Sequence, residues 1–207
     1  MWAAFATVST FDRDIPMTML YIARRSLLGG LAAGAALAAL PLRAATEAPL
    51  VIAPQFMPQE VRVRRDMPVG SITILSDKFF LYFIDRPGVA IRYGVAVGRD
   101  ELKFRGMAEV ARKVEWPSWR PTPEMIERSP SHYAKYADGM PGGPTNPLGA
   151  RALYLYQNGQ DTAIRIHGTT EPQSIGSAVS NGCIRMVNSH VIDLYQRVPL
   201  GTQVAVY

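Results

Sequence analysis

The sequence predicts a mainly β protein: a single-domain β-sandwich of mixed short strands with minor helices. Short runs rich in β-branched and aromatic residues recur along the chain, and several of them alternate apolar with polar residues. The 207 residues include 17 glycines and 16 prolines, and many of these lie between the runs as turn signals. Helical periodicity is confined to short segments, so long crossover helices are not expected. This pattern is typical of a sandwich or a barrel.

The strand signals follow a proline-rich segment, residues 46–60, which predicts an extended lead-in without a core pattern. Within the run 71–85, a break at Ser76 and Asp77 separates two β-rich stretches and indicates a hairpin. In chain order, the predicted strands lie in residues 61–65, 71–85, 89–99, 108–116, the second half of 136–156, 162–168 and 201–207.

Helix signals are weaker and fewer. Residues 118–130 contain prolines followed by one short helical pattern, and residues 171–180 suggest a short helix or a turn. Residues 188–198 predict a helix with Asn188 or Ser189 as its N-cap. The apolar residues at helical spacing in this segment are Val191, Ile192, Leu194, Tyr195 and Val198.

Residues 1–45 have the order of an export signal. Arg24 and Arg25 precede an uncharged run rich in Ala, Leu and Gly from 26 to 42, and the small residues Ala44 and Ala45 follow. We expect cleavage near Ala45 and a periplasmic mature protein. A membrane anchor or a buried helix is the alternative, although the run is short for a membrane span. The arginine pair also resembles a twin-arginine signal, and general secretion stays open.

The charge of the chain gives no indication of nucleic-acid binding. The 22 Lys and Arg exceed the 17 Asp and Glu, but four of the basic and two of the acidic residues precede Thr46, which leaves a net charge of +3. No basic stripe is visible, because residues 61–65 alternate like a strand. Three scattered histidines and one cysteine do not form a zinc spacing, so no metal or cofactor is expected.

Cys183 is the only cysteine, so it cannot form an internal disulfide. It is either a buried small hydrophobe or a reactive thiol, and an imidazole such as His167 could take its proton. The amides of Gly182 and Cys183 could face an oxyanion, and Ser180 could hydrogen-bond within the turn or orient the imidazole. In an extended segment, Arg185 would share a face with Cys183 and could meet a substrate carboxylate.

The local motifs resemble those of the L,D-transpeptidase catalytic domain, the YkuD-type family. The match includes "NPLG" at 146–149, and it covers residues 60–207. The paired motifs are matched at His167, Gly168, Thr169, Ser180, Gly182, Cys183, Ile184 and Arg185. One departure is Asn181, which stands where many family members carry histidine.

The resemblance implies a catalytic domain at residues 61–207 that acts on peptidoglycan stem peptides. It implies Cys183 as nucleophile and His167 as general base and acid. Supporting roles are implied for Gly182, Ser180 and Gly168, and substrate contacts for Arg185, Thr169 and Asn181. The acceptor would be the amine of another stem, of a lipoprotein or outer-membrane protein, or of a free D-amino acid, and some relatives use water. Hydrolysis by a carboxypeptidase or endopeptidase and a non-catalytic wall-binding protein are the alternatives.

Aromatic residues precede the motif and have two possible roles. Trp116, Trp119, Tyr133 and Tyr136 flank a segment rich in Pro and Gly. They could form one wall of a substrate cleft, or they could pack within the sandwich.

Overall fold

Strands dominate the computed structural model, which describes residues 52–207; the predicted export signal lies outside the described residues. In the described part, the strands are β1 Gln59–Arg62, β2 Ile72–Leu75, β3 Phe80–Arg86, β4 Val89–Gly94, β5 Val97–Gly98, β6 Gly106–Glu115, β7 Arg151–Gln157, β8 Gln160–His167, β9 Ala178–Ser180, β10 Ile184–Arg185 and β11 Gln203–Val206. The α-helices are α1 Pro123–Arg128, α2 Pro130–Tyr133 and α3 Asn188–Arg197. The predicted mainly β fold with minor helices is confirmed.

Nine strands form one mixed sheet in the order β1-β4-β3-β2-β11-β6-β7-β8-β10, and β5 and β9 form a second, parallel pair. Most neighbours in the large sheet are antiparallel, but β11 pairs in parallel with β2, and β10 pairs in parallel with β8. The hairpin predicted at Ser76 is present: a 3-10 turn from Ser76 to Lys78 joins β2 to β3, which pair antiparallel.

A single hydrophobic cluster draws on both halves of the sheet. It contains side chains from β2, β3 and β4, from β6, β7 and β8, and from α3. Strand β2 illustrates how a strand contributes to this cluster: Ile72 and Ile74 are buried, and they alternate with more exposed residues. Each such side chain contributes about 1.5–3 kcal/mol when it is fully buried. The cluster therefore determines which face of each strand packs in the core and which face can carry functional side chains.

Helix α3 buries the apolar positions expected from its spacing: Val191 and Leu194 are buried within it, and Val198 just after it. Its predicted N-cap is wrong, since Val187 occupies that position and Asn188 is already helical. The Asn188 side chain instead accepts the Ala150 N–H at 3.0 Å and donates to the Thr169 carbonyl at 3.1 Å. It therefore joins two loops that sequence reasoning left separate.

The segment 171–180 contains more than the predicted turn. A 3-10 turn spans Pro172–Ser174, and strand β9 follows it at Ala178–Ser180. Strand β9 pairs with β5 and leads directly toward Cys183. No helix within residues 52–207 is long and apolar enough to cross a membrane.

We expect Gly149→Ala to lower the free energy of unfolding by about 3–5 kcal/mol, since it combines a left-handed backbone with overpacking. Gly149 has φ +64°, and an added Cβ would lie 2.6 Å from the Thr169 nitrogen and even closer to Asn188 Oδ1. Gly159→Ala is the matched control, because Gly159 has φ +76° and open space around it. Urea unfolding of both variants is the measurement, and equal losses would contradict the crowding argument.

Candidate active site

The parallel pairing of β8 and β10 brings the two candidate catalytic residues together. Ile184 lies opposite Ile166 and Arg185 lies opposite His167, and both isoleucines are buried in the core. Because side chains alternate along a strand, His167 and Arg185 face the opposite side from these isoleucines. Cys183 lies sixteen positions after His167 and directly precedes β10, and its Sγ lies 3.8 Å from the Ala163 carbonyl oxygen of β8.

The turn before Cys183 depends on Gly182 and Ser180. Gly182 has φ +115°, and a Cβ there would lie 3.0 Å from the Leu102 carbonyl oxygen. The buried Ser180 hydroxyl donates to the Cys183 carbonyl at 2.5 Å and accepts the Gly182 N–H at 3.1 Å. Ser180 therefore stabilises the turn, which is the first of the two roles expected for it.

This turn also determines which amides can stabilise an oxyanion. The Gly182 N–H, expected to face one, is already donated to Ser180 Oγ. Within residues 52–207, the Cys183 N–H has no hydrogen-bond acceptor. The Cys183 amide is therefore the donor that this arrangement leaves available.

The Cys183 thiol is partly exposed, and its Sγ contacts the Ala163 carbonyl oxygen at 3.8 Å. Ala163 has φ +60° and lies in an irregular stretch of β8, where the register with β7 shifts. Burial raises the pKa of Cys183, although the backbone and charge of Arg165 oppose this effect. The resting side chain is therefore a neutral thiol.

His167 is buried, with 4% of its surface exposed, and its Nδ1 lies 2.5 Å from the Gly168 carbonyl oxygen. This contact assigns the proton to Nδ1, because a carbonyl only accepts. Burial lowers the pKa of His167 to about 4, and the nearby Arg185 and Arg165 act in the same direction. The Gly168 carbonyl opposes them without reversing the shift. His167 is therefore a neutral imidazole at pH 7, the form that can accept a proton.

Thr169 supports the loop after His167. It is 3% exposed, and its hydroxyl accepts the Glu171 N–H at 2.9 Å. The substrate contact expected for Thr169 does not fit this burial. Gly168 is equally confined, because a Cβ there would collide with Asn188 Oδ1. This agrees with the supporting role expected for Gly168.

Two arginines lie beside the thiol, and both are ion-paired. Arg185 contacts Glu171 at 2.7 Å, and Arg165 contacts Asp161 at 2.6 Å. Sequence reasoning identified Arg185 but missed Arg165 and Asp161. Strand alternation could have identified Arg165: it precedes His167 by two residues in the same strand, so the two side chains are expected on the same face.

Asn181 connects the turn before Cys183 to the helical segment 123–136. Its Oδ1 accepts from the Arg128 guanidinium at 3.0 Å, and its Nδ2 donates to the Tyr133 hydroxyl at 3.1 Å. Tyr133 and Tyr136 pack against Trp119, with ring centroids 6.2 and 5.7 Å away. Three of the four aromatic residues considered above thus form one cluster, and it reaches the site through Tyr133. No sequence pattern pointed to Arg128.

These features define a class of protein: a mainly β domain with an imidazole at the end of one strand and a thiol in the turn just before the parallel strand that pairs with it. The sequence model of the YkuD L,D-transpeptidase catalytic domain matches residues 70–206. The chain belongs to this family.

Curated relatives agree with the family assignment. A Fuscovulum blasticum protein with the provisional name L,D-transpeptidase in the ATP synthase subunits region is 43% identical over 109 residues, 52% of each chain. The Escherichia coli protein named Probable L,D-transpeptidase ErfK/SrfK is 29% identical over 156 residues, 72% of this chain and 47% of the relative. The chain thus spans about half the length of the curated relatives it matches.

Solved structures support the fold. A Brucella melitensis protein described as a probable carnitine operon oxidoreductase, CaiA, is 53% identical, with a TM-score of 0.52 and coverage of 75% of this chain and 96% of that chain. A mutant of the Enterococcus faecium L,D-transpeptidase is 17% identical, with a TM-score of 0.50 and coverage of 66% and 49%. The second likeness concerns the fold alone. The oxidoreductase description belongs to the Brucella protein, and the family match gives no support for transferring it.

We expect the alkylation rate of Cys183 by iodoacetamide to rise only in the alkaline range. Burial raises the pKa of the thiol, so the thiolate fraction grows with pH and its inflection should lie above that of glutathione measured in parallel. His167, with a pKa of about 4, should add no inflection near neutrality. A rate plateau from about pH 6 to 8 would instead indicate a resting thiolate–imidazolium pair.

Proposed function

We propose that the protein is a peptidoglycan L,D-transpeptidase with Cys183 as its nucleophile. The observation that supports this proposal is the parallel pairing of β8 with β10: His167 ends β8, and Cys183 directly precedes β10 with its Sγ 3.8 Å from the Ala163 carbonyl oxygen of β8. The substrate proposed is a tetrapeptide stem, and the bond cleaved is the amide between diaminopimelate and the terminal D-Ala. The acyl group then passes to an amine acceptor.

In the acylation step, the Cys183 sulfur attacks the carbonyl carbon while the thiol proton moves to the free nitrogen of His167. The oxyanion that forms accepts the Cys183 N–H, the amide without another partner among the described residues. When the intermediate collapses, the carbon–nitrogen bond breaks and His167 returns its proton to the departing D-Ala amine. A thioester on Cys183 remains.

In the second step, an acceptor amine attacks the thioester carbonyl and gives its proton to His167. Collapse of the new intermediate breaks the carbon–sulfur bond, and the proton returns to sulfur. The neutral resting forms of Cys183 and His167 suit this cycle, because each proton transfer accompanies formation or cleavage of a bond.

Three outcomes can be separated with one substrate. Purified protein is incubated with a disaccharide-tetrapeptide, and the products are read by mass spectrometry. A 3→3 cross-linked dimer supports transfer to a stem, and a tripeptide supports the hydrolytic alternative. An unchanged substrate supports a non-catalytic wall-binding protein. Adding a lysine-containing lipoprotein or outer-membrane peptide tests the protein acceptors in the same reaction.

We expect Cys183→Ala to abolish the covalent adduct that the wild-type protein forms with a carbapenem. The substitution removes the only thiol, and the fold should persist because the side chain lies outside the core cluster. Intact-mass spectrometry detects the adduct, and circular dichroism checks the fold. His167→Ala should slow adduct formation by about 10²–10⁴-fold. An adduct on the Cys183→Ala protein would exclude Cys183 as the nucleophile.

We also propose that residues 1–45 direct export to the periplasm, where the proposed substrate lies. Replacing Arg24 and Arg25 by lysine should block export if the twin-arginine route is used and change little if general secretion is used. Cell fractionation with N-terminal sequencing measures both location and cleavage. A full-length protein in the membrane fraction would contradict cleavage near Ala45, and a cytoplasmic pool of the unmodified protein would contradict export.

A further inference from the structure

The side-chain amide of Asn181 holds one guanidinium at the edge of the Cys183 site. Arg128, the last residue of α1, donates to Asn181 Oδ1 at 3.0 Å. The opposite end of the amide donates to the Tyr133 hydroxyl of α2, which can accept, and the two contacts together fix the amide orientation. Arg128 is thus exposed yet oriented.

Arg128 differs from Arg165 and Arg185, the two arginines beside the thiol, in its carboxylate contacts. Arg165 and Arg185 are each neutralised by a carboxylate, Asp161 and Glu171 respectively. Over the described stretch from 52 to 207, Arg128 has no carboxylate within ion-pair distance, and its single side-chain partner is the neutral Asn181. Glu124, one turn earlier in α1, is near enough for the Arg128 charge to contribute to the lowering of its pKa, but it makes no direct contact with the guanidinium.

The guanidinium also retains unused donors. It has five N–H groups, and only one at Nη2 is committed to Asn181. The remaining edge has the fork geometry that binds a carboxylate through two parallel hydrogen bonds. An oriented arginine that no carboxylate contacts, bonded to Asn181 two positions before Cys183, is suited to binding an anionic group of the substrate.

We propose that Arg128, oriented by Asn181, binds the C-terminal carboxylate of the acyl-donor peptide. The proposal rests on the function proposed above, in which the leaving group is the last residue of the stem. That carboxylate lies one residue beyond the attacked carbonyl, about 4 Å away. The two residues from Cys183 to Asn181 span at most about 7 Å, so a guanidinium bonded to Asn181 is within reach of it.

This assignment gives the Asn181 amide a specific use. It holds the guanidinium without adding charge, so the positive charge stays available to the substrate. A carboxylate at position 181 would hold Arg128 equally well but would neutralise it. Arg128 thereby selects peptides that end one residue after the cleaved bond, and Asn181 acts as its positioning residue.

The test measures binding to the inactive Cys183→Ala protein, full-length or in its exported form. The two probes are a stem tetrapeptide ending in diaminopimelate–D-Ala and the same peptide with a C-terminal carboxamide. We expect the acid to bind at least about tenfold more tightly than the amide, as a charge-assisted contact requires. Adding Arg128→Ala should bring the two affinities within about twofold of each other, while Arg128→Lys should retain part of the preference.

Two further variants separate the charge from the structure. Asn181→Asp should abolish the preference for the acid although Arg128 is still present. Arg120→Ala is the matched control: it removes a guanidinium from the same region, which donates to the Asp138 carbonyl and does not contact Asn181. This control should preserve the preference. Equal losses of acid and amide affinity in Arg128→Ala would show a purely structural role and overturn the proposal.

Failure of the proposed function would give a different result. If wild-type protein releases no D-Ala and forms no cross-link, while Cys183→Ala still prefers the acid through Arg128, the carboxylate site stands without the reaction. If D-Ala is released but acid and amide bind Cys183→Ala equally, the reaction stands and Arg128 is not its carboxylate site.

Discussion

The parallel pairing of two residues of β10 with the end of β8 is the constraint on which the site depends. Arg185 lies opposite His167 and Ile184 lies opposite Ile166, so the register directs the isoleucines into the core and His167 and Arg185 to the opposite face, and Cys183 directly precedes β10. A shift of one residue would exchange these faces, bury the Arg185 side and expose an isoleucine. Burial of Ile166 and Ile184 therefore fixes the geometry of the site as well as contributing stability.

Strand β10 is too short to hold this register by itself, and buried polar side chains support it. Ser180 closes the turn before Cys183 through two hydrogen bonds, and Asn188 joins the loops that carry Ala150 and Thr169. Each bond contributes only about 1 kcal/mol net, but a buried group left without its partner costs about 1–3 kcal/mol. The loops around the site are therefore held by a few specific polar contacts, whereas the sheet is held by apolar area.

Local patterns explain what the sequence could predict. The break at Ser76 and Asp77 between two β-rich runs predicted the hairpin of β2 and β3, and helical spacing identified Val191 and Leu194. Strands β5, β9 and β10 contain only two or three residues, which is too few for alternation to be recognised. Their pairing depends on partners far along the chain.

The contacts that sequence reasoning missed or misassigned are tertiary. Asparagine is a residue type favoured at helix N-caps, but the partners of Asn188, Ala150 and Thr169, lie 38 and 19 residues away. Asn181 meets Arg128 and Tyr133 across 53 and 48 residues. No periodicity extends over such distances, so these contacts appear only once the sheet has assembled.

Burial also determines the protonation state of the Cys183 thiol. The resting thiol stays neutral even though Arg165 lies beside it, because the effect of burial on the pKa outweighs the attraction of an arginine already paired with Asp161. A thiol that is neutral at rest is less open to oxidation than a thiolate.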